Sequence, residues 1–251
     1  MEFVILSTTK HLDRLRLVAT HNPNRFSIVY VDGDDPEQKE GTTIACRVLV
    51  EFPRMVTPFS TAEPFKADDV TGEPPKKRNK TLTHALTVDF RGEEPTNELG
   101  QFREFQRALQ ERLEELCTQL EDKGRRLKRK KRTEANRGTN VFPLIRPRKG
   151  KFEDWPDVMV LKFVPGNAAF TWGEAHRKVD VASEDLADHF VEPVAQLADV
   201  FKFTNGLYYP RYLLRRCHVH DETKDFSPDT ELAWDADDAQ QTSSPGGVKR
   251  V

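Results

Sequence analysis

The sequence predicts a mainly β protein with one long helix, an α+β fold, and three observations carry this. Short β-branched and aromatic runs bounded by turn residues recur through most of the chain. The stretch from 99 to 120 repeats its apolar residues at helical spacing. Late in the chain, Asn205-Gly206 separates two aromatic-rich runs, a strong hairpin signal because both residues tolerate positive φ.

The first part holds strand-type runs at Phe3 to Leu6, Leu15 to Val18, Phe26 to Val31 and Ile44 to Phe52. Turn signals at Asn22-Pro23-Asn24 and at the acidic Asp32 to Pro36 divide them, and their close spacing suggests antiparallel pairing. Residues 56–80 carry Pro58, Pro64, Pro74 and Pro75 and end in Lys76-Lys77-Arg78, so they read as a flexible basic loop. That basic run suits a localisation signal or phosphate contacts equally. Leu82, Leu86, Val88 and Phe90 then alternate with polar residues as in a half-buried strand. Arg91 to Pro95 breaks the pattern, and Thr96 or Asn97 can cap a helix bearing Phe102, Phe105, Leu109, Leu113, Leu116 and Leu120, ending near Gly124. Such a stripe is first of all a packing element, with a self-associating coiled coil the lesser option.

Arg125 to Arg132 is the densest charge run, within a second flexible basic loop at 124–140. It reads as an arm that neutralises phosphates, against a localisation signal or a solvated loop. Phe142 to Phe152 mixes cations and aromatics, with prolines confining it to an edge or loop. Asp157 to Val164 is apolar on both faces, as in a central strand, and Asn167 to Trp172 suggests an aromatic-bearing turn. Ser183 to Ala198 is open between a short helix broken by Pro193 and a loop docking Phe190 and Val194. After His220 the chain is acidic and poor in apolar residues. The division is thus one domain over 1–220 and a disordered acidic tail over 221–251.

Composition narrows the chemistry. With 251 residues, 37% hydrophobic and 32% charged, the chain suits a compact core with disordered inserts. Its net charge of -2 hides a segregation of basic runs from acidic ones. Cys46, Cys117 and Cys217 lie far apart, which argues for a reducing compartment. No apolar run approaches a membrane span and no signal-peptide pattern opens the chain, so a soluble intracellular protein is expected, in host cytoplasm or nucleus if viral. Phosphate-cradling, dinucleotide and nucleophile-elbow motifs are missing. Asp32, Asp34 and Asp35 make a turn before they make a metal site. Asp154, Asp157 and Lys162 are a weak nuclease echo, and Cys217, His218 and His220 lack a second ligand pair for zinc. No catalysis, cofactor or metal is expected.

Lys202 to Cys217 interleaves Phe203, Tyr208, Tyr209 and Tyr212 with Lys202, Arg211, Arg215 and Arg216. Rings that stack on bases beside cations that meet phosphates suit a single-stranded nucleic acid, although alone the stretch is first an ordinary hairpin. Its place in the chain adds to this. The strand Ala85 to Phe90, the acidic proline-containing turn, the amphipathic helix Leu99 to Leu120 and a basic insert come first. The strand Val158 to Val164, the hairpin Val200 to Val219 and an acidic tail with Trp234 follow. In this order the chain resembles the single-stranded DNA-binding proteins of tailed bacteriophages, the T7-type OB-fold group. The order differs from that group in a more basic insert, a terminus of Lys249-Arg250-Val251 and a longer segment before residue 56.

The resemblance implies an OB-like antiparallel β-barrel with an inserted helix and a basic aromatic cleft that holds single strands regardless of sequence. It also implies roles in DNA replication and recombination and a tail that recruits replication proteins. The expected binding residues are Lys128, Arg129, Lys130, Arg146, Arg148, Lys149, Lys151, Lys202, Tyr208, Arg211, Tyr212 and Arg215. Alternation sends Tyr208 and Tyr212 to one face of the strand and Tyr209, Arg211 and Arg215 to the other, so only one set can line the cleft. Single-stranded DNA is the expected partner, with RNA second and a homo-oligomer open. The alternative is a non-enzymatic structural or interaction protein, a virion or RNA-binding component, that uses the basic arm for charge contact alone. A magnesium-dependent nuclease using Asp32, Asp34 and Asp35 is the third reading.

Overall fold

Eleven strands in one mixed sheet and a single long helix make up the described part of the computed structural model, which covers residues 3–32, 44–58, 84–125, 141–148, 153–164, 166–180, 184–204 and 206–223. The strands are β1 (Phe3–Leu6), β2 (Leu15–Ala19), β3 (Arg25–Asp32), β4 (Ile44–Glu51), β5 (Met55–Val56) and β6 (His84–Asp89). After the helix α1 (Glu98–Arg125) come β7 (Val158–Phe163), β8 (Ala169–Trp172), β9 (Arg177–Lys178), β10 (His189–Lys202) and β11 (Tyr208–Thr223). No helix among the described residues is long and apolar enough to cross a membrane.

The β10–β11 hairpin is the spine. Its strands run 14 and 16 residues, roughly 50 Å each at the usual strand rise, whereas most of their neighbours are short. Several partners therefore share each outer edge in succession. Along β10 these are β3 at Asp199 to Phe201, β4 at Val194 to Leu197 and β5 at Phe190 and Val191. Along β11 they are Val141 at Tyr208, β7 at Tyr212 and Leu213, and β8 at Arg216 to Val219. Through β5–β6 and β6–β7 the pairing returns on itself, a circuit of β10, β5, β6, β7 and β11. The pairing is not purely antiparallel as expected: β1 with β4, β7 with β11 and β8 with β11 run parallel. Parallel partners need long crossovers, and here the intervening strands supply them.

β10 replaces the open choice of helix or loop at Ser183 to Ala198. Val191 and the whole run Pro193 to Val200 are buried, so neither a period of two nor one of 3.6 stands out in the sequence. Pro193 sits where β10 passes from its pairing with β5 to that with β4, and its carbonyl accepts from the Phe52 amide at 2.9 Å. Asn167 to Trp172, expected as a turn, contributes β8. Two expected loop boundaries also move. Val56, Thr57 and Pro58 are buried rather than part of the loop, and β11 continues to Thr223, past the expected start of the tail. The rest of both basic loops, apart from Gly124 and Arg125 in α1, lies outside the described residues.

The helix docks most of its predicted stripe: Phe102, Phe105, Leu109, Leu113 and Leu116 are buried, and Leu120 is half-buried. Phe102 packs 4.8 Å from Phe52, whose ring in turn meets Tyr212 edge-on at 5.5 Å. Arg112 donates to the carbonyls of Leu12 and Asp13 at 3.1 and 3.0 Å and so ties α1 to the 3-10 segment Thr9–Arg14. The cap is Asn97. Its side-chain oxygen accepts from the Gly100 amide at 2.9 Å, and its amide group donates to the Gly92 carbonyl at 2.8 Å. Gly100 has no freedom to be anything larger, since a Cβ there would stand 2.1 Å from the Glu94 carbonyl oxygen. Gly100→Ala should therefore destabilise the protein by about 1–3 kcal/mol in chemical denaturation, reversing the gain of about 1 kcal/mol that helix propensity alone favours. An unchanged or raised midpoint would show that the turn before α1 yields freely.

Candidate nucleic-acid interface

Residues paired across neighbouring strands share a face, so the register lays out the outer surface of the sheet row by row. Phe201 pairs with Arg25 on β3 and with Tyr209 on β11. Asp199 pairs with Ser27 and Arg211. Gln196 pairs with Leu49 and Leu213, and Val194 with Glu51 and Arg216. On β11 the alternation is clean: Tyr208, Pro210, Tyr212 and Leu214 are buried, while Tyr209, Arg211, Leu213 and Arg215 are only half-buried. A bulge opposite Val194 and Ala195 then adds one residue to β11. It leaves Arg215 and Arg216 consecutively on the open side before Cys217 returns to the core.

Aromatic rings collect at the hairpin end of this face. The Phe142 ring lies 5.1 Å from Tyr209, and Phe203 meets Tyr209 edge-on at 6.2 Å and Phe201 at 5.1 Å. The Arg146 guanidinium stands 4.7 Å over Phe142 and 5.3 Å from the Tyr209 ring, and it donates to the Tyr209 hydroxyl. Phe203 belongs to the loop, where its amide donates to the Leu207 carbonyl and its carbonyl accepts from Gly206. Gly206 sits at φ 85°, the left-handed position that a three-residue hairpin loop asks of glycine. The large apolar side chains that are exposed among the described residues are Phe3, Ile5, Val18 and Phe203. All four belong to this face: Ile5 pairs with Leu49, Val18 with Ser27, Phe3 with Arg47 two positions along from Leu49, and Phe203 meets Phe201 and Tyr209 edge-on.

The cations are arranged in partial neutralisation. Arg25 and Arg211 both reach the Asp199 carboxylate, at 2.8 and 2.6 Å, so two positive charges share one negative. Burial pushes the Asp199 carboxyl above its ordinary value, with Arg25 pulling the other way. Among the described residues Arg215 bonds the neutral Gln196 oxygen, and Arg216 meets Glu51 at 3.1 Å in an exposed pair. Farther along β11, His218 lies 4.6 Å from His176 and 4.8 Å from His220. Burial, then the charges of His220 and His176, hold His218 below its ordinary value.

Of the expected binding residues, Arg146, Arg211 and Arg215 lie on this face. Four others do not. Tyr208 and Tyr212 are 2% and 3% exposed, on the inner side of β11, and cannot stack on a base. The Tyr212 hydroxyl donates to Gln106 at 2.9 Å, and burial raises its pKa. Lys202 pairs with Tyr208 on that inner side, its amine 4.9 Å over the Tyr208 ring and 4.0 Å from Glu121. Arg148 is packed at 5.2 Å from Trp155, donates to the Pro156 carbonyl and faces buried Asp89 at 3.8 Å. Lys128, Arg129, Lys130, Lys149 and Lys151 lie outside the described residues, as do Asp34 and Asp35. Of the weak metal readings, Asp157 is engaged by Arg103 at 2.6 Å, and Cys217 is buried on the side opposite His218 and His220. Arg25, Phe142 and Phe203 were missed. Only a Phe142 to Phe152 segment rich in rings and cations, and Phe203 beside the turn, pointed toward them.

No protein-family model matches the sequence, and no curated protein does. Among solved structures, the chain is similar to the single-stranded DNA-binding protein of bacteriophage Enc34 in complex with ssDNA. The identity is 12% and the TM-score 0.41, over 85% of this chain and 99% of that one. It is also similar to gp2.5, a single-stranded DNA-binding protein encoded by bacteriophage T7, with 11% identity and a TM-score of 0.40 over 82% of this chain and 100% of that one.

Tyr212 separates core from surface. Tyr212→Phe should cost about 1–2 kcal/mol of stability, because it strands the buried Gln106 acceptor, and Tyr212→Ala about 3–5 kcal/mol. Urea unfolding checks both. Neither variant, while folded, should change affinity for an oligonucleotide; a folded Tyr212→Ala protein with weakened binding would return that ring to the interface.

Proposed function

We propose that the protein binds single-stranded DNA without sequence preference, on the outer face of the β10–β11 hairpin and the strands beside it. One observation carries this reading: the exposed large apolar side chains of the described residues share a single face with half-exposed arginines. Exposed apolar surface on one side of a sheet signals a partner. Rings interleaved with guanidiniums favour a partner with stackable bases and phosphates. Arg146, braced between Phe142 and Tyr209, can offer its remaining donors to a phosphate while the two rings receive bases.

In this reading the strand circuit with α1 inserted between β6 and β7 is an OB-like barrel. The role is in DNA replication or recombination, as a viral, soluble and intracellular coating protein without catalysis. The acidic tail recruits replication proteins, and copies associate along the strand. The basic arm at Arg125 to Arg132 adds charge contact to a site whose specificity for single strands comes from stacking.

Fluorescence anisotropy with labelled single-stranded DNA, RNA and duplex across salt tests the reading. Single-stranded DNA should bind well ahead of duplex, with log affinity falling by about 0.7 per neutralised phosphate for each decade of salt. Equal affinity for duplex would sink it. Tyr209→Ala should weaken binding by about 1–2 kcal/mol through the lost ring, and Tyr209→Phe by much less.

The charge arrangement gives a second expectation. Asp199→Asn releases Arg25 and Arg211 and should tighten binding at low salt by roughly threefold or more, with a steeper salt dependence. Unchanged affinity and slope would place both arginines outside the contact.

A further inference from the structure

A second ring-and-guanidinium station lies on the same face, at its far edge. The register sets Arg16 of β2 beside Val29 of β3, Val29 beside Arg47 of β4, and Arg47 beside Phe3 of β1. Phe3 is 48% exposed, and the Arg47 guanidinium lies 5.8 Å from its ring. Arg16 is exposed, and its guanidinium donates to the backbone carbonyls of Asp13 and Leu15. Ile5, 50% exposed, continues the apolar surface one step inward and leads through its partner Leu49 to Gln196 and Leu213.

The composition repeats that of the hairpin station, an aromatic ring with an arginine against it. Arg25 and Val29 mark the rows of the two stations on β3, four residues apart, about 13 Å by strand rise. Between them lies the Ser27–Asp199–Arg211 row. The two stations are therefore joined by rows of side chains on one face that cross the strands instead of following one.

We propose that a single strand of DNA bound at the hairpin crosses the sheet to a second contact at Phe3, Arg47 and Arg16. This rests on the reading above and fixes the direction and extent of the bound strand. Two linked contacts raise affinity only when one molecule reaches both, so the second station acts as a length sensor.

The test compares oligodeoxythymidines of about 5 and about 15 nucleotides, within the usual range of single-domain site sizes. They are bound to wild type, to the F3A/R47Q double variant and to Tyr209→Ala. The double variant should bind the short oligomer as wild type does and the long one roughly tenfold more weakly, the scale of one lost stacked base. Phe3→Tyr should keep the gain with length. Because Phe3 is half exposed, the melting temperature should not move. Three results overturn the inference while sparing the hairpin site: equal loss at both lengths, no loss at either while Tyr209→Ala weakens both, or a DNA-free dimer that the double variant dissociates without affecting long-oligomer affinity. Failure of wild type to bind either oligomer removes the underlying reading as well.

Discussion

The pairing of β10 with β11 is the constraint on which the other elements depend. Both strands exceed the length that any one neighbour can cover, and an unpaired stretch of buried backbone would leave donors and acceptors without water or partners. The remaining strands are accordingly distributed along the two outer edges in turn, β3, β4 and β5 on one side and the Val141 bridge, β7 and β8 on the other. Each register shift in the hairpin also re-aims side chains. The bulge at Arg215 is the clearest case, since it sets two arginines on the open face without exposing Leu214 or Cys217.

A buried charge network lies at the end of β6. Asp89, fully buried at the end of β6, receives Arg91 at 3.0 Å and faces Arg148 at 3.8 Å, and Arg91 also reaches Asp188 at 3.6 Å. Burial raises the Asp89 carboxyl above its ordinary value, opposed by Arg91 and then Arg148, while burial lowers Arg148. Such a cluster stabilises little against a well-packed apolar one but punishes the loss of either partner. It ties together the turn before α1, the segment carrying Arg146 and the turn into β10. Arg148, expected from the sequence as a phosphate contact, is drawn into this network two residues after Arg146.

What the sequence made legible followed period and length. β6 and the α1 stripe were readable because each buries one face and so shows alternation or helical spacing, and β1 and β7 because each is a short apolar run of strand length. β10 was not, because a strand buried on both faces has no polar phase to read, and Pro193 argued against it. On β11 the alternation of Tyr208 and Tyr212 with Tyr209, Arg211 and Arg215 could be seen, but not which set faced the core. That depends on α1 lying over Tyr212 through Gln106, a contact 106 residues away in the chain. The aromatic station was divided between Phe142, Tyr209 and Phe203, and no local pattern joins residues that only the Val141–Tyr208 bridge and the hairpin loop bring together.

The carboxylates set among the arginines explain how such a face can exist in the free protein. Arg25 and Arg211 lie in adjacent rows of one sheet, and with no negative charge between them their repulsion would act at strand spacing, within a Debye length. Asp199 between Arg25 and Arg211, with the Glu51–Arg216 pair farther along, offsets part of that positive charge. The cost is electrostatic attraction for an anion. A ligand held mainly by charge would be poorly served by arginines already half-satisfied, and the exposed rings of Phe3 and Phe203 would then have no use. A ligand that brings flat apolar surface together with phosphates uses both, and the partial neutralisation shifts the balance of its binding from counterion release toward stacking.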